Sequence, residues 1–201
     1  MKTAFLFASL VLSAPALADD HSHHAHHAAP EAVEAKLSGS SLYNLESSWR
    51  DASGKPVALS SLAGRPRLVA MLYTGCKTAC PLLVQDMKTL RDKLPKKTQA
   101  KISLTVFSLD AQNDTPEHLA AFASKMSLGE NWALLSPRGA GDVTEIASAL
   151  GVQYKRLESG DYIHSNVIFL LNEKGEIVAK KEGLKTTSED FSQKVREVAG
   201  G

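Results

Sequence analysis

The chain has 201 residues, with 23 basic against 22 acidic side chains, seven histidines and two cysteines. A charge this close to balance excludes nucleic acid or an anionic membrane surface as the main partner, because either requires a concentrated positive patch. Two cysteines exclude a disulfide-built scaffold, and the length suffices for one domain with a core of its own.

Lys2, the apolar run Ala4 to Ala14 and the closing Ala16-Leu17-Ala18 follow the charged, apolar, small-residue order of a secretory signal. Residues 1–18 are therefore expected to be removed on export, leaving a soluble periplasmic chain. Loss of Lys2 brings basic and acidic groups to equality at 22 each. A membrane span is not expected in the mature form, since the run is far shorter than the roughly 20 apolar residues that cross a bilayer. Residues 19–38 are rich in Ala, His, Glu and Asp and too poor in large apolar side chains to offset the entropy of ordering them. They are expected to form a disordered, His-rich tail ahead of a folded domain over 39–201.

Leu42 to Trp49, the glycine turn at Asp51 to Lys55 and Pro56 to Leu59 predict a short N-terminal hairpin. Arg67 to Tyr73 is nearly continuous in apolar residues, as in a strand buried on both faces. Apolar positions 82, 83, 87, 90 and 94 predict a helix from Pro81 to Leu94. Lys101 to Leu109 predicts a second strand, and Thr115 or Asp114 caps a helix over Leu119 to Met126. A short strand at Asn131 to Leu135 and a helix from Gly141 to Leu150, stopped by Gly151, come next. A strand opening at His164 and running to Leu171 is joined by the turn Asn172 to Gly175 to a partner at Glu176 to Ala179. Ser188 to Val198 closes the chain as a helix. Strand–helix alternation of this kind predicts an α/β fold, a central mixed sheet with helices on both faces.

Cys76 and Cys80 occupy the passage from a strand end into a helix start, Tyr73-Thr-Gly-Cys76-Lys-Thr-Ala-Cys80-Pro81. Free backbone N–H groups and the helix dipole there favour negative charge, so both thiols are expected to ionise readily and serve as metal ligands or attacking groups. A structural disulfide is the plainer reading. Closing so short a loop stabilises by only about 2 kcal/mol, at the low end for such bonds. Two thiolates are an incomplete copper site, and the histidines offer a third ligand; outside the tail only His118 and His164 are present. His118 falls in a polar first turn and reads as a solvated helix residue. His164 sits at a loop-to-strand junction, where functional side chains are often presented; the spacing by itself leaves a hydrogen-bonded structural histidine equally open. Two cysteines with one histidine would suit Cu(I), and Cu(II) with a weak further ligand.

Thr74-Gly-Cys76-Lys-Thr-Ala-Cys80-Pro81, Ser108-Leu-Asp110 with Asp114-Thr-Pro116, and His164-Ser165 before an apolar strand together resemble the SCO/SenC family from about Ser41 to Val198. The resemblance implies a thioredoxin-like fold and a copper chaperone serving cytochrome c oxidase, with Cys76, Cys80 and His164 as copper ligands. It implies a copper-receiving oxidase subunit as partner. Thiol-disulfide exchange through Cys76 and Cys80, with a thiol reductant as second partner, is the alternative activity. Asp110 and Asp114 fall in the family's SLDxxxDTP motif, although turn and helix capping suffices to explain them. Gly75, Lys77 and Thr78 stand where the family often has bulkier or acidic residues.

His21, His23, His24, His26 and His27 crowd five imidazoles into seven residues, a composition that reads as a secondary metal site. Cleavage after Ala18 would expose Asp19-Asp20-His21, whose amine, two backbone nitrogens and imidazole could form a square-planar site for Cu(II) or Ni(II). Binding by imidazoles weakens below about pH 6.

Overall fold

The computed structural model describes residues 37–185 and 188–200. The expected signal segment and His21, His23, His24, His26 and His27 lie outside the described residues.

A 3-10 turn at Leu42–Asn44 precedes the expected hairpin, β1 (Trp49–Arg50) and β2 (Pro56–Val57), which pair antiparallel with Trp49 opposite Val57. β3 (Arg67–Leu72) is buried at every position and leads into helix α1 (Ala79–Asp92), which is followed by one short turn, α2 (Lys96–Gln99). β4 (Ser103–Ser108), α3 (Pro116–Lys125), β5 (Trp132–Pro137) and α4 (Ala140–Leu150) continue the alternation. Gly151 stops α4 in the left-handed region at φ 70°, a conformation glycine adopts without steric cost. β6 (Tyr154–Arg156) and β7 (Tyr162–His164) form a separate two-stranded hairpin. β8 (Val167–Leu171), β9 (Ile177–Glu182) and α5 (Glu189–Gly200) complete the chain.

The main sheet has the order β2-β1-β5-β4-β3-β8-β9. β3, β4 and β5 are mutually parallel, whereas β8, β9 and the N-terminal hairpin pair antiparallel, so the sheet is mixed as expected. Alternation along a strand sends successive side chains to opposite faces. Leu68 and Ala70 of β3 join Leu83 and Met87 of α1 and Phe191 and Val195 of α5 in one core. Val69 and Met71 point the other way, into a core with Leu119 of α3 and Val143 and Ile146 of α4. Two apolar layers enclosing a sheet hold the ends of β3 and β4 rigid, and the cysteines follow directly from β3.

Two features differ from the sequence reading. The helix carrying the cysteines begins at Ala79, two residues before Pro81; a proline within the first turn removes an N–H that lacks an intrahelical partner anyway. The second concerns His164, which does not open the strand to Leu171. It ends β7, and the chain changes partners at Ser165 and Asn166 before β8 begins at Val167. The Ser165 N–H still reaches the Gln153 carbonyl of the hairpin, while the Asn166 carbonyl accepts from Gly183 beside β9.

Candidate metal centre

Tyr73 ends the buried strand run, and Thr74 to Thr78 carry the chain over to α1. The Cys76 N–H donates to the Tyr73 carbonyl at 3.3 Å, closing a turn that places the Cys76 side chain at the mouth of the helix. Thr78, in the N-cap position, makes no side-chain cap. The Cys76 sulfur takes that role and accepts the N–H of Cys80 at 3.3 Å. An electron-rich sulfur thus satisfies one of the orphan donors of the first turn.

The two thiols are shifted in opposite directions from their ordinary range, which corrects the expectation that the helix start lowers both. Burial opposes ionisation of Cys76, but donors from Cys80, Thr78 and Ala79 outweigh it and hold this half-exposed thiol below its ordinary range. Cys80 is fully buried, and burial pushes its thiol far up, with the nearby Cys76 and Asp114 charges adding to the effect. Desolvation overrides the helix dipole where water is excluded altogether.

His164 arrives from the far end of the chain on β7, and its Nε2 lies 3.7 Å from the Cys80 sulfur. Its Nδ1 lies 3.1 Å from the Ser165 carbonyl, an acceptor, so Nδ1 carries the proton and Nε2 presents its lone pair to the sulfur. Burial lowers the ring's pKa, which favours this neutral form. In the reduced protein the Cys80 S–H therefore has two acceptors in reach, the His164 lone pair and the Cys76 sulfur. With metal–sulfur and metal–nitrogen bonds of about 2.3 and 2.0 Å, a 120° angle separates the two ligand atoms by about 3.7 Å. The observed separation already fits one metal ion bound by both. Cys80 also meets Cys76, so it is in contact with both remaining candidates. Among the described residues no three His, Cys, Asp or Glu side chains close into a ready-made cage.

His118 is placed as expected, in the first turn of α3 with its Nδ1 against the Asn113 carbonyl. Asp110 and Asp114 do more than local capping. Thr115 is the N-cap of α3 and accepts from the His118 N–H. Asp114 is 3% exposed and accepts from the Thr74 N–H at 3.0 Å, from the Thr74 hydroxyl and from the Ser108 hydroxyl, pinning the cysteine loop to the end of β4. Burial raises its pKa in spite of those donors. Asp110 binds the Gln112 and Asn113 N–H groups and, at 3.4 Å, the Tyr162 hydroxyl of β7. Nothing local in the sequence signals these reaches; the one available hint is that both carboxylates lie in the loop between a buried strand and a capped helix.

A mixed sheet with helices on both faces and a dithiol at a strand-to-helix turn defines a thioredoxin-like protein, here with an imidazole set against the thiols. The SCO1/SenC family matches residues 39–200, and the chain belongs to that family. A relative from Bacillus subtilis (strain 168), named SCO1 protein homolog, is 30% identical over 145 residues, 71% of this chain and 75% of its own. BsSco is described as a member of the Sco family of cytochrome c oxidase assembly proteins in which a disulfide switch was identified. It superposes with a TM-score of 0.64 at 26% identity, over 76% of this chain and 90% of that one. Bradyrhizobium japonicum ScoI with copper bound gives 0.60 at 24% identity, over 76% and 96%, a likeness of fold. Among the described residues no helix is long and apolar enough to cross a membrane.

Proposed function

We propose that this chain is an exported, periplasmic copper metallochaperone that binds copper through Cys76, Cys80 and His164 and passes it to a cuproenzyme domain, a subunit of cytochrome c oxidase. The observation that carries the reading is the 3.7 Å approach of His164 Nε2 to the Cys80 sulfur, between residues 84 positions apart. Family membership and the copper-bound relative support it. Two thiolates and a neutral imidazole offset the full charge of Cu(II) and leave one negative charge with Cu(I), a modest cost for a half-buried site. Cys76, half-exposed on its loop, is the ligand a recipient thiolate reaches first. Transfer then proceeds by exchange of one sulfur for another, with no covalent bond to the protein made or broken.

The split between the thiols also favours a second activity, reduction of a target disulfide. Cys76 thiolate attacks one target sulfur and releases the other as thiolate. Cys80 then gives up its proton and attacks the Cys76 sulfur, releasing the second target thiolate and leaving a Cys76–Cys80 disulfide. A thiol reductant must reset it.

Mixing the copper-loaded chain with a metal-free dinuclear copper domain whose cysteines are already reduced separates the two activities. The chaperone reading expects the recipient's copper absorption to grow as the donor's declines. Full reduction of an oxidised recipient by the copper-free chain, with no transfer from the loaded one, would leave only the reductase.

A further inference from the structure

His164 stands on the β6–β7 hairpin, outside the seven-stranded sheet. A lone two-stranded ribbon is marginally stable, and a metal site needs its ligands held to within a fraction of an ångström. Among the described residues the outward side of this hairpin is open at Ile163, next to His164, which is 62% exposed. What fixes the imidazole must come from the inner side.

Tyr154, opposite His164 in the ladder, is tied to Thr144 of α4 at 3.0 Å, and the contacts on the sulfur side converge on Tyr73, which is buried. Its hydroxyl donates to Asp161 Oδ1, at the turn of the hairpin, at 3.3 Å. Its ring lies 5.1 Å from the ring of Tyr162 and 6.3 Å from the His164 imidazole, the latter edge-to-face at 80°. Tyr162 in turn donates to Asp110 Oδ1 at 3.4 Å, a second tether from the hairpin to the loop after β4. The Tyr73 backbone meanwhile holds the sulfur side. Its carbonyl accepts from the Cys76 N–H, and its own N–H is hydrogen-bonded to the Cys80 sulfur. A single residue thus touches both cysteines, the histidine and the element that carries the histidine.

The geometry points to Tyr73 as the positioning residue of the metal centre, with its hydroxyl on Asp161 setting where the His164 ring stands relative to Cys80. The assignment rests on the copper-ligand reading of Cys76, Cys80 and His164. Without the Tyr73–Asp161 bond the hairpin keeps its backbone ladder, but the imidazole samples a wider range and spends less time within bonding reach of the metal.

The test is a double-mutant cycle on the full chain, Tyr73→Phe, Asp161→Ala and both together, with His164→Ala as reference. Cu(II) dissociation constants are measured beside the imidazole nitrogen coupling in the electron paramagnetic resonance spectrum. Each single variant is expected to keep two titratable thiols, to weaken Cu(II) binding about three- to tenfold, the worth of one hydrogen bond, and to shift the nitrogen coupling towards that of His164→Ala. The double variant should be no weaker than Tyr73→Phe, which removes the shared bond together with the contact of that hydroxyl with the Tyr162 N–H. Unchanged nitrogen coupling in Tyr73→Phe, or additive losses, would overturn the assignment while leaving the ligands intact. A His164→Ala variant that binds copper like the parent would instead remove the ligand reading, and the role of Tyr73 with it. A fall in thermal stability with no change in nitrogen coupling also counts against it, since that is all a purely structural tyrosine would give.

Discussion

Cys76 and Cys80 share one turn and yet differ in readiness to lose a proton, because one sulfur faces solvent and backbone donors while the other is shut inside the core. The buried thiol keeps its proton at neutral pH and must release it when a metal takes its place. From Cys80 alone, copper affinity should rise about tenfold per pH unit between pH 7 and 9. Competition titrations against a chelator of known pH dependence would show this slope, and a flat profile would mean that Cys80 does not bind as thiolate. His164 gives a test in the metal-free protein. Burial holds its pKa below the ordinary value near 6.5, so the unfolded chain takes up the proton first as pH falls. The contribution is fully present above about pH 6.5 and is lost progressively below it. Denaturant midpoints of the reduced, metal-free protein should therefore drop more steeply from pH 7 to 5 than those of His164→Ala; parallel curves would show that the folded ring titrates normally.

At the scale of elements, the helix that presents the cysteines is anchored by an ion pair far from them. Asp86 of α1 meets Lys181 of β9 at 3.2 Å, with the lysine side chain 3% exposed, and the same carboxylate oxygen accepts the Lys185 N–H at 2.9 Å. The Lys181 ammonium also donates to the Gly183 carbonyl. Removing the acid leaves a buried ammonium without its counter-charge, so Asp86→Ala should cost about 3–5 kcal/mol in denaturant unfolding. A loss below about 1 kcal/mol would place that ammonium in water. The helix itself was legible from the 3.6-residue spacing of Leu83, Met87 and Leu90, and β3 from its unbroken apolar run. The β8–β9 turn was legible from Asn172-Glu-Lys-Gly175, and Gly175, at φ 80°, closes it with an N–H to the Asn172 carbonyl. The β6–β7 hairpin was not. Tyr154-Lys-Arg and Tyr162-Ile-His bury little and face no second sheet, so they lack the alternation by which a strand is recognised.

Over the whole molecule, sequence motifs identified the three candidate ligands, and only the fold brings two of them together. The strand-to-helix passage placed both sulfurs locally, but the route of His164 to Cys80 depends on a sheet order that brings residues late in the chain beside β3. The roles of Asp114, Asp110 and Tyr73 stayed hidden for the same reason. Each has an adequate local explanation as a cap or as the end of an apolar strand, and each reaches its functional partner across tens of residues. The His-rich segment, by contrast, speaks through composition alone, and its expected metal binding lies outside the described residues. X-ray absorption at the copper edge tests the central claim most directly, on the reduced protein loaded with one equivalent of Cu(I). Two sulfurs and one nitrogen are expected in the first shell, with the nitrogen lost in His164→Ala and one sulfur lost in each cysteine variant. An identical first shell in the parent chain and in His164→Ala would contradict the account.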